Sequence, residues 1–150
     1  MKKVLLARPS LFIVNDMRHL LIDSSYVPTP IKHLNELQLQ DFSKVGGAVI
    51  STALSSEVAE DYAQVAKAIK DIDISTPIMM ATLVPFEHLI KALTIKFSTN
   101  GMNMNFYSIQ IASRKLSLNP TTDVLVIHKD DITSQEMYAI TKKTFNNFFR

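Results

Sequence analysis

The sequence predicts an α/β fold in which a parallel sheet carries helices on its faces. Short, continuously apolar runs at residues 4–6, 48–50, 78–80 and 124–127 alternate with segments whose apolar residues recur every three or four positions. Continuous apolar runs are typical of parallel strands that are buried on both faces. A chain of 150 residues suits one domain of ~100–200 residues, so we expect a single domain over residues 1–150.

Helix start signals lie between the predicted strands. Ser10 and Ser56 can cap helices that follow the first and third strands. Pro85 suits the first turn of a helix after the fourth strand. Thr133 and Glu136 have the spacing of a capping box at the start of the last helix. We therefore expect a helix after each of these strands.

The predicted second strand, residues 26–33 (YVPTPIKH), contains two prolines. Proline has no backbone N–H to donate to a neighbouring strand, so prolines within sheets are confined to edge strands, strand starts and bulges. The sequence therefore predicts that this strand lies at the edge of the sheet.

A long segment, about residues 94–122, separates the fourth helix from the fifth strand. Residues 105–111 (NFYSIQI) alternate like a strand that could form a hairpin with residues 116–118. A helix over about residues 104–116 is the alternative. A structureless loop of this length is uncommon in a compact domain, so we expect one of these two structures.

Composition excludes several classes of function. The 16 basic and 14 acidic residues leave a net charge of +2, which gives weak attraction to nucleic acid or anionic lipid. The chain has no cysteine, so disulfides and thiolate metal sites are absent. The apolar runs are far shorter than the ~20 residues of a membrane helix. We expect a cytoplasmic protein without a membrane or nucleic-acid partner.

Four stretches resemble strands of the response-regulator receiver (CheY-like) superfamily. They are residues 3–8 (KVLLAR), 45–52 (VGGAVIST), 76–84 (TPIMMATLV) and 123–132 (DVLVIHKDDI). The resemblance covers residues 3–84 and 123–149. It implies a flavodoxin-like, five-stranded parallel sheet in the order 2-1-3-4-5, with the proline-containing strand at one edge. Residues 94–122 are then an insertion between the fourth helix and the fifth strand.

The resemblance also assigns positions to the family's phosphorylation site. The acids that hold Mg²⁺ would fall on Arg8 and Pro9, neither of which can ligate that ion. The phosphoacceptor would fall on Ser51 or, with a one-residue slip, on Thr52. The resemblance therefore implies a degenerate pseudo-receiver that has no metal site, no cofactor and no catalytic residue.

Two other positions of the family's phosphorylation site lie at the ends of the fourth and fifth strands. The switch hydroxyl matches Thr82. The strand-five lysine falls near Ile127, His128 or Lys129, of which Lys129 is the lysine. With the acids missing, the resemblance implies a non-catalytic regulatory module that binds a protein partner or a second copy of itself. The alternative is a phosphate- or nucleotide-responsive domain that uses Arg8, Ser51 and Thr82. A small enzyme of this fold is a third hypothesis, but no histidine or acid is spaced to activate Ser51.

The partner surface is expected on the fourth helix, the insertion and the last helix. Apolar side chains suited to contacts concentrate there: Phe86, Met102, Met104, Phe106, Tyr107 and Ile109. The alternative is that the insertion residues form a small core of their own. Phe149 is displaced by about 100° from the inner stripe of the last helix, so we expect it to face outward. An exposed Phe149 would be covered by a second subunit or by a further domain of a longer chain.

Overall fold

The computed structural model shows a parallel α/β sheet and describes residues 1–7, 12–53 and 60–150, with the backbone alone for residues 12–14. Its strands are β1 (Lys3–Ala7), β2 (Val27–Ile31), β3 (Val45–Ser51), β4 (Ile78–Thr82), β5 (Asn105–Ser108) and β6 (Asp123–His128). These six strands lie in the order β2-β1-β3-β4-β6-β5. Every neighbouring pair is parallel, which confirms the predicted fold class.

Helices cover both faces of the sheet. A π-helical turn, Phe12–Met17, leads into α1, and two 3₁₀ helices, Leu34–Leu39 and Phe42–Lys44, follow β2. The α-helices are α1 (Arg18–Asp23), α2 (Tyr62–Ile72), α3 (Phe86–Thr99), α4 (Ile109–Ala112), α5 (Lys129–Thr133) and α6 (Gln135–Phe148). Helices α2 and α3 pack on one face, and α1, α4, α5 and α6 pack on the other. None of the helices in the described ranges combines the length and apolarity needed to cross a bilayer.

The predicted number of strands is wrong, because the insertion adds a sixth strand. The strand expected fifth is β6, and β5 pairs with its free side in parallel register, with Phe106 opposite Val124. From β4 the chain crosses over one face through α3 to β5, and it returns over the other face through α4 to β6. Right-handed crossovers require this change of face when the direction of travel along the sheet reverses.

The insertion forms neither the predicted hairpin nor the predicted long helix. Residues 105–108 pair with β6 and not with residues 116–118, and of residues 104–116 only 109–112 are helical. Phe106 lies in the core beneath α2 and α3, whereas Ile109 lies in the core on the opposite face. The insertion thus supplies one apolar side chain to each of the two cores. It is therefore part of the layered fold and not a separate projection from it.

A buried lysine ties the end of the insertion to α2. Lys70 is 8% exposed, and its ammonium donates hydrogen bonds to three backbone carbonyls, including those of Thr76 and Pro120. Burial lowers the pKa of Lys70 to about 8. The carboxylate of Asp123 accepts the backbone N–H of Asn119 at 2.7 Å. These contacts position the chain where it enters β6.

The proline-containing strand is at the edge, as predicted. Val27 donates its N–H to the carbonyl of Lys2 at 2.9 Å. Because alternate residues of a strand point their N–H groups the same way, Pro28 and Pro30 fall at positions whose donors would face outward from the sheet. The missing donors therefore cost no hydrogen bond within the sheet.

Two helix starts differ from the predictions. Ser56 lies outside the described residues, and α2 begins at Tyr62 with Asp61 as its N-cap, in a capping box with Gln64. The predicted box at the last helix is wrong, since Thr133 is the final residue of α5. Its hydroxyl donates to the carbonyl of Lys129 at 3.1 Å. A short separate helix therefore ends at the threonine that the sequence pattern assigned to the cap.

Phe149 is buried, so the prediction that it faces outward is wrong. It is 5% exposed, and its ring centroid lies 4.3 Å from that of Phe145. Helix α6 ends at Phe148, and Phe149 has an extended backbone with φ −74° and ψ 149°. The 100° helical offset therefore does not apply to it. The ring packs against Gly47, where a Cβ would lie 2.6 Å from a ring carbon.

The neighbouring residue, Arg150, fixes this arrangement. Its guanidinium donates to the carbonyls of Val45 and Phe42 and, at 2.7 Å, to the carboxylate of Asp73. Burial alone would raise the pKa of Asp73, but hydrogen bonds from Arg150 and Ser75 lower it to about 2. The contacts hold Phe149 over β3.

We predict that Gly47→Ala lowers the free energy of unfolding by about 1–3 kcal/mol, because the added methyl group overpacks the site beneath Phe149. Urea unfolding measures the loss. In a Phe149→Ala background the same substitution should cost much less, because the clashing ring is gone. An equal cost in the two backgrounds would contradict the packing described here.

Candidate functional site

The carboxyl ends of the central strands contain the residues that the resemblance singled out. Arg8 and Pro9 lie outside the described residues. Ser51 is the last residue of β3, opposite Ala81 of β4, and it is 3% exposed. Its hydroxyl oxygen accepts the backbone N–H of Ala53 at 3.1 Å. Ser51 therefore stabilises the turn that leaves β3.

Thr82, at the end of β4, closes a turn of its own. Its hydroxyl oxygen accepts the N–H of Val84 at 2.9 Å and lies 3.3 Å from the carbonyl oxygen of Val84. Hydroxyl side chains commonly stabilise turns two residues further along the chain in this way. Thr82 is 3% exposed, whereas Leu83 and Val84 are 64% and 43% exposed. The turn presents two apolar side chains to solvent.

His128 occupies the end of β6, opposite Thr82. Its Nδ1 accepts the N–H of Asp130 at 3.0 Å, so the neutral ring carries its proton on Nε2. Nε2 lies 3.1 Å from the carbonyl oxygen of Leu83 and donates to it. The carboxylate of Asp131 accepts the backbone N–H of His128 at 2.8 Å. The imidazole thus joins the start of α5 to the loop between β4 and α3.

Lys129, the predicted strand-five lysine, does not lie in the strand. It is the first residue of α5, and its ammonium is 3.9 Å from the carboxylate of Asp16 in an exposed pair. Exposed pairs of this kind contribute little to stability. The sequence indicated His128 as one of three candidate positions for the lysine and did not show that it holds the strand end, because sequence patterns leave strand boundaries uncertain by about two to four residues.

A cavity of about 250 Å³ lies beside Thr82. Helices α3 and α5, which follow the neighbouring strands β4 and β6, pack on opposite faces of the sheet, and crevices at such points are common ligand sites. The ionisable side chains that line the cavity are Glu87, His128 and Asp131. Burial raises the pKa of Asp131. The two carboxyl groups do not suit a phosphate ligand, because like charges repel.

The predicted contact residues mostly face inward. Phe106 and Ile109 are 9% and 0% exposed, so the prediction of an exposed contact surface is wrong for these two. Phe86, Met102 and Met104 are partly buried against the core beneath α2 and α3, and Tyr107 is partly buried against the other core. These predicted contact residues are therefore used by the two cores of the domain. Exposed apolar side chains include Ile95, Ile111 and Leu116 within the insertion and Leu83, Val84 and Ile140 outside it.

No protein-family model and no curated protein matches the sequence. Solved structures do match its fold. The N-terminal domain of a response regulator/sensory box/GGDEF 3-domain protein from Carboxydothermus hydrogenoformans matches with a TM-score of 0.58 and 16% identity, over 96% of this chain and 94% of that one. A response regulator receiver protein from Sinorhizobium medicae WSM419 gives 0.56 and 17%, over 97% and 94%.

A third match is a CheY-like receiver domain protein from Methanospirillum hungatei JF-1, with a TM-score of 0.51 and 10% identity, over 95% of this chain and 98% of that one. The fold is that of a receiver domain. The receiver fold here carries one additional edge strand, β5. Identities this low establish the fold alone. No group of three or more histidine or acidic side chains within the described ranges could hold a metal ion.

We predict that Thr82→Val speeds hydrogen exchange of the Val84 amide by about fivefold, because that amide loses a hydrogen bond worth about 1 kcal/mol. Amide exchange followed by NMR measures it. Thr94→Val is the matched control, since its hydroxyl bonds to the carbonyl of Ile90 within α3 and does not contact the loop. Unchanged exchange at Val84 would show that the hydroxyl does not hold this turn.

Proposed function

We propose that this chain is a non-catalytic signalling module that is not phosphorylated and acts through contacts with a protein partner, of which a second copy of the chain is one candidate. The observation that carries the proposal is the position and the hydrogen bonding of Ser51. Ser51 stands at the end of β3, where the resemblance assigns the phosphoacceptor, and its hydroxyl oxygen accepts a backbone N–H. We further propose a cytoplasmic location without nucleic-acid or membrane partners.

The chemistry of phosphoryl transfer supports this proposal. Transfer to a carboxylate needs the nucleophile itself and a cation that neutralises charge on the donor oxygens. No acidic residue occurs at the ends of β1 and β3. Residues 8–11 (RPSL) follow β1, and residues 51–53 (STA) begin with the last residue of β3. The residues at these strand ends therefore do not fit Mg²⁺, and no carboxylate nucleophile is present among them.

The loop after β4 supports action through protein contacts. Thr82 and His128 hold this loop by hydrogen bonds from within the chain itself, with no phosphoryl group needed. Leu83 and Val84 are presented outward in that state. A module fixed in one conformation can still bind a partner, because recognition needs only a preformed surface.

The alternative is a phosphate- or nucleotide-responsive domain that uses Arg8, Ser51 and Thr82. The cavity beside Thr82 is lined by Glu87 and Asp131 and not by Ser51. Carboxylates beside a phosphate are unfavourable because like charges repel. This lining favours the protein-contact proposal over the alternative.

We predict that acetyl phosphate with Mg²⁺ leaves the protein's intact mass unchanged, because the carboxylate nucleophile and the metal ligands are missing. A conventional receiver domain treated in parallel serves as the positive control. Beryllofluoride with Mg²⁺ should likewise leave the amide NMR spectrum unchanged. A stoichiometric adduct on the wild-type chain that disappears in Ser51→Ala would overturn the proposal.

A further inference from the structure

A groove of about 250 Å³ lies between α6 and the segment that follows α4. Its floor contains the buried side chains of Ala112, Thr144 and Phe148. Two apolar side chains project at its rims, Leu116 at 104% exposure and Ile140 at 43%. A fully exposed leucine beside an exposed isoleucine gives this groove apolar contact points that the domain's own cores do not use.

The charge around this groove is positive. The residues that line the groove include Lys115 and Lys143, and none of them is acidic. Neither ammonium lies within salt-bridge distance of a carboxylate in the described part of the chain. The ammonium of Lys115 lies 4.8 Å from the ring centroid of Tyr107, a cation–π contact that fixes its position. An occupant with carboxylates would supply the missing partners.

The groove has the shape of a site for a short helix. On α6 its lining residues Ile140, Lys143, Thr144 and Asn147 follow the i, i+3, i+4, i+7 spacing of one helix face over about two turns, roughly 10 Å. Residues 113 and 115–118 form the opposite wall. Grooves of this form commonly bind the apolar face of an amphipathic helix.

We propose that this groove binds an acidic amphipathic segment of a partner protein. The aliphatic side chains of that segment lie between Leu116 and Ile140, and its carboxylates face Lys115 and Lys143. The inference rests on the proposed function, because it names the chemistry of the protein partner. It places the contact on the side of the sheet that carries α4 and α6, away from the Thr82 loop.

The test is fluorescence anisotropy of the full chain with a labelled helical peptide of about three turns. Its leucines follow the spacing above, and glutamates occupy the flanking positions. The control peptide has the same leucines and lysines in place of the glutamates. We expect the acidic peptide to bind, the basic peptide not to bind, and high salt to weaken the complex because it screens the charges.

Variants locate the site. Leu116→Ser should weaken binding by about tenfold or more, because a leucine loses its burial in the complex. Lys143→Glu should weaken it through charge repulsion. The matched controls are Ile95→Ser and Lys91→Glu, at exposed positions on α3 across the sheet, and both should bind as the wild type does. All four positions are exposed, so melting temperatures should be unchanged.

The outcomes separate the two proposals. No binding of the acidic peptide, or equal weakening by the α3 controls, overturns the groove assignment and leaves the proposed function standing if acetyl phosphate gives no adduct. A phospho-adduct on the wild-type chain overturns the proposed function whatever the peptide does. Sedimentation that shows a dimer lost in Leu116→Ser would make a second copy the occupant and would also overturn the acidic-segment assignment.

Discussion

The parallel pairing of β5 with β6 is the interaction on which the arrangement of this receiver fold depends. In β6, residues 123–127 are buried. In a five-stranded sheet this apolar strand would have an unpaired edge, which favours association with other chains. The four-residue strand β5 covers that edge with hydrogen bonds, and it leaves a shorter and more polar strand at the border of the sheet. The insertion therefore completes the sheet.

That arrangement decides which surfaces remain for function. Phe106 and Ile109 are used by the cores on the two faces, and Phe149 is held over Gly47. At the carboxyl ends of the strands, Ser51 and Thr82 accept backbone N–H groups in their own turns. The apolar side chains left outside include Leu83 and Leu116 on loops and Ile140 on the outer face of α6. Function is therefore expected at contacts made by these outward positions.

The sequence predicted the parts of the fold that depend on local pattern. Continuous apolar runs identified the buried parallel strands, and two prolines identified the edge strand β2. Period-two alternation at residues 105–111 indicated a strand as one of two alternatives, and residues 105–108 form one. The same alternation occurs in parallel and antiparallel strands, so it could not reveal that β5 pairs with β6. That pairing depends on contacts between residues far apart in the chain.

Two other differences, and the burial of Lys70, have similarly specific causes. Phe149 is buried because α6 ends at Phe148 and the next residue has an extended backbone. A periodic pattern of apolar residues does not show at which residue a helix ends. His128, and not Lys129, holds the strand end. The sequence could not show which residue ends the strand, because predicted strand boundaries are uncertain by about two to four residues. Lys70 is buried because three carbonyls converge on its ammonium, two from the loop after α2 and one from the insertion. No local signal marks such a convergence, since a lysine on a helix is ordinarily a surface residue.

Native-state hydrogen exchange of β5 tests the central claim most directly, that the insertion is an integral strand of the sheet. The amide of Asn105 donates to the carbonyl of Thr122 at 2.9 Å, and β5 pairs with β6 in register as far as Ser108. We expect the β5 amides that face β6 to be protected by the same opening reaction as the amides of β6. Nearly unprotected β5 amides beside a fully protected β6 would contradict the account, because the insertion would then be a separable surface segment.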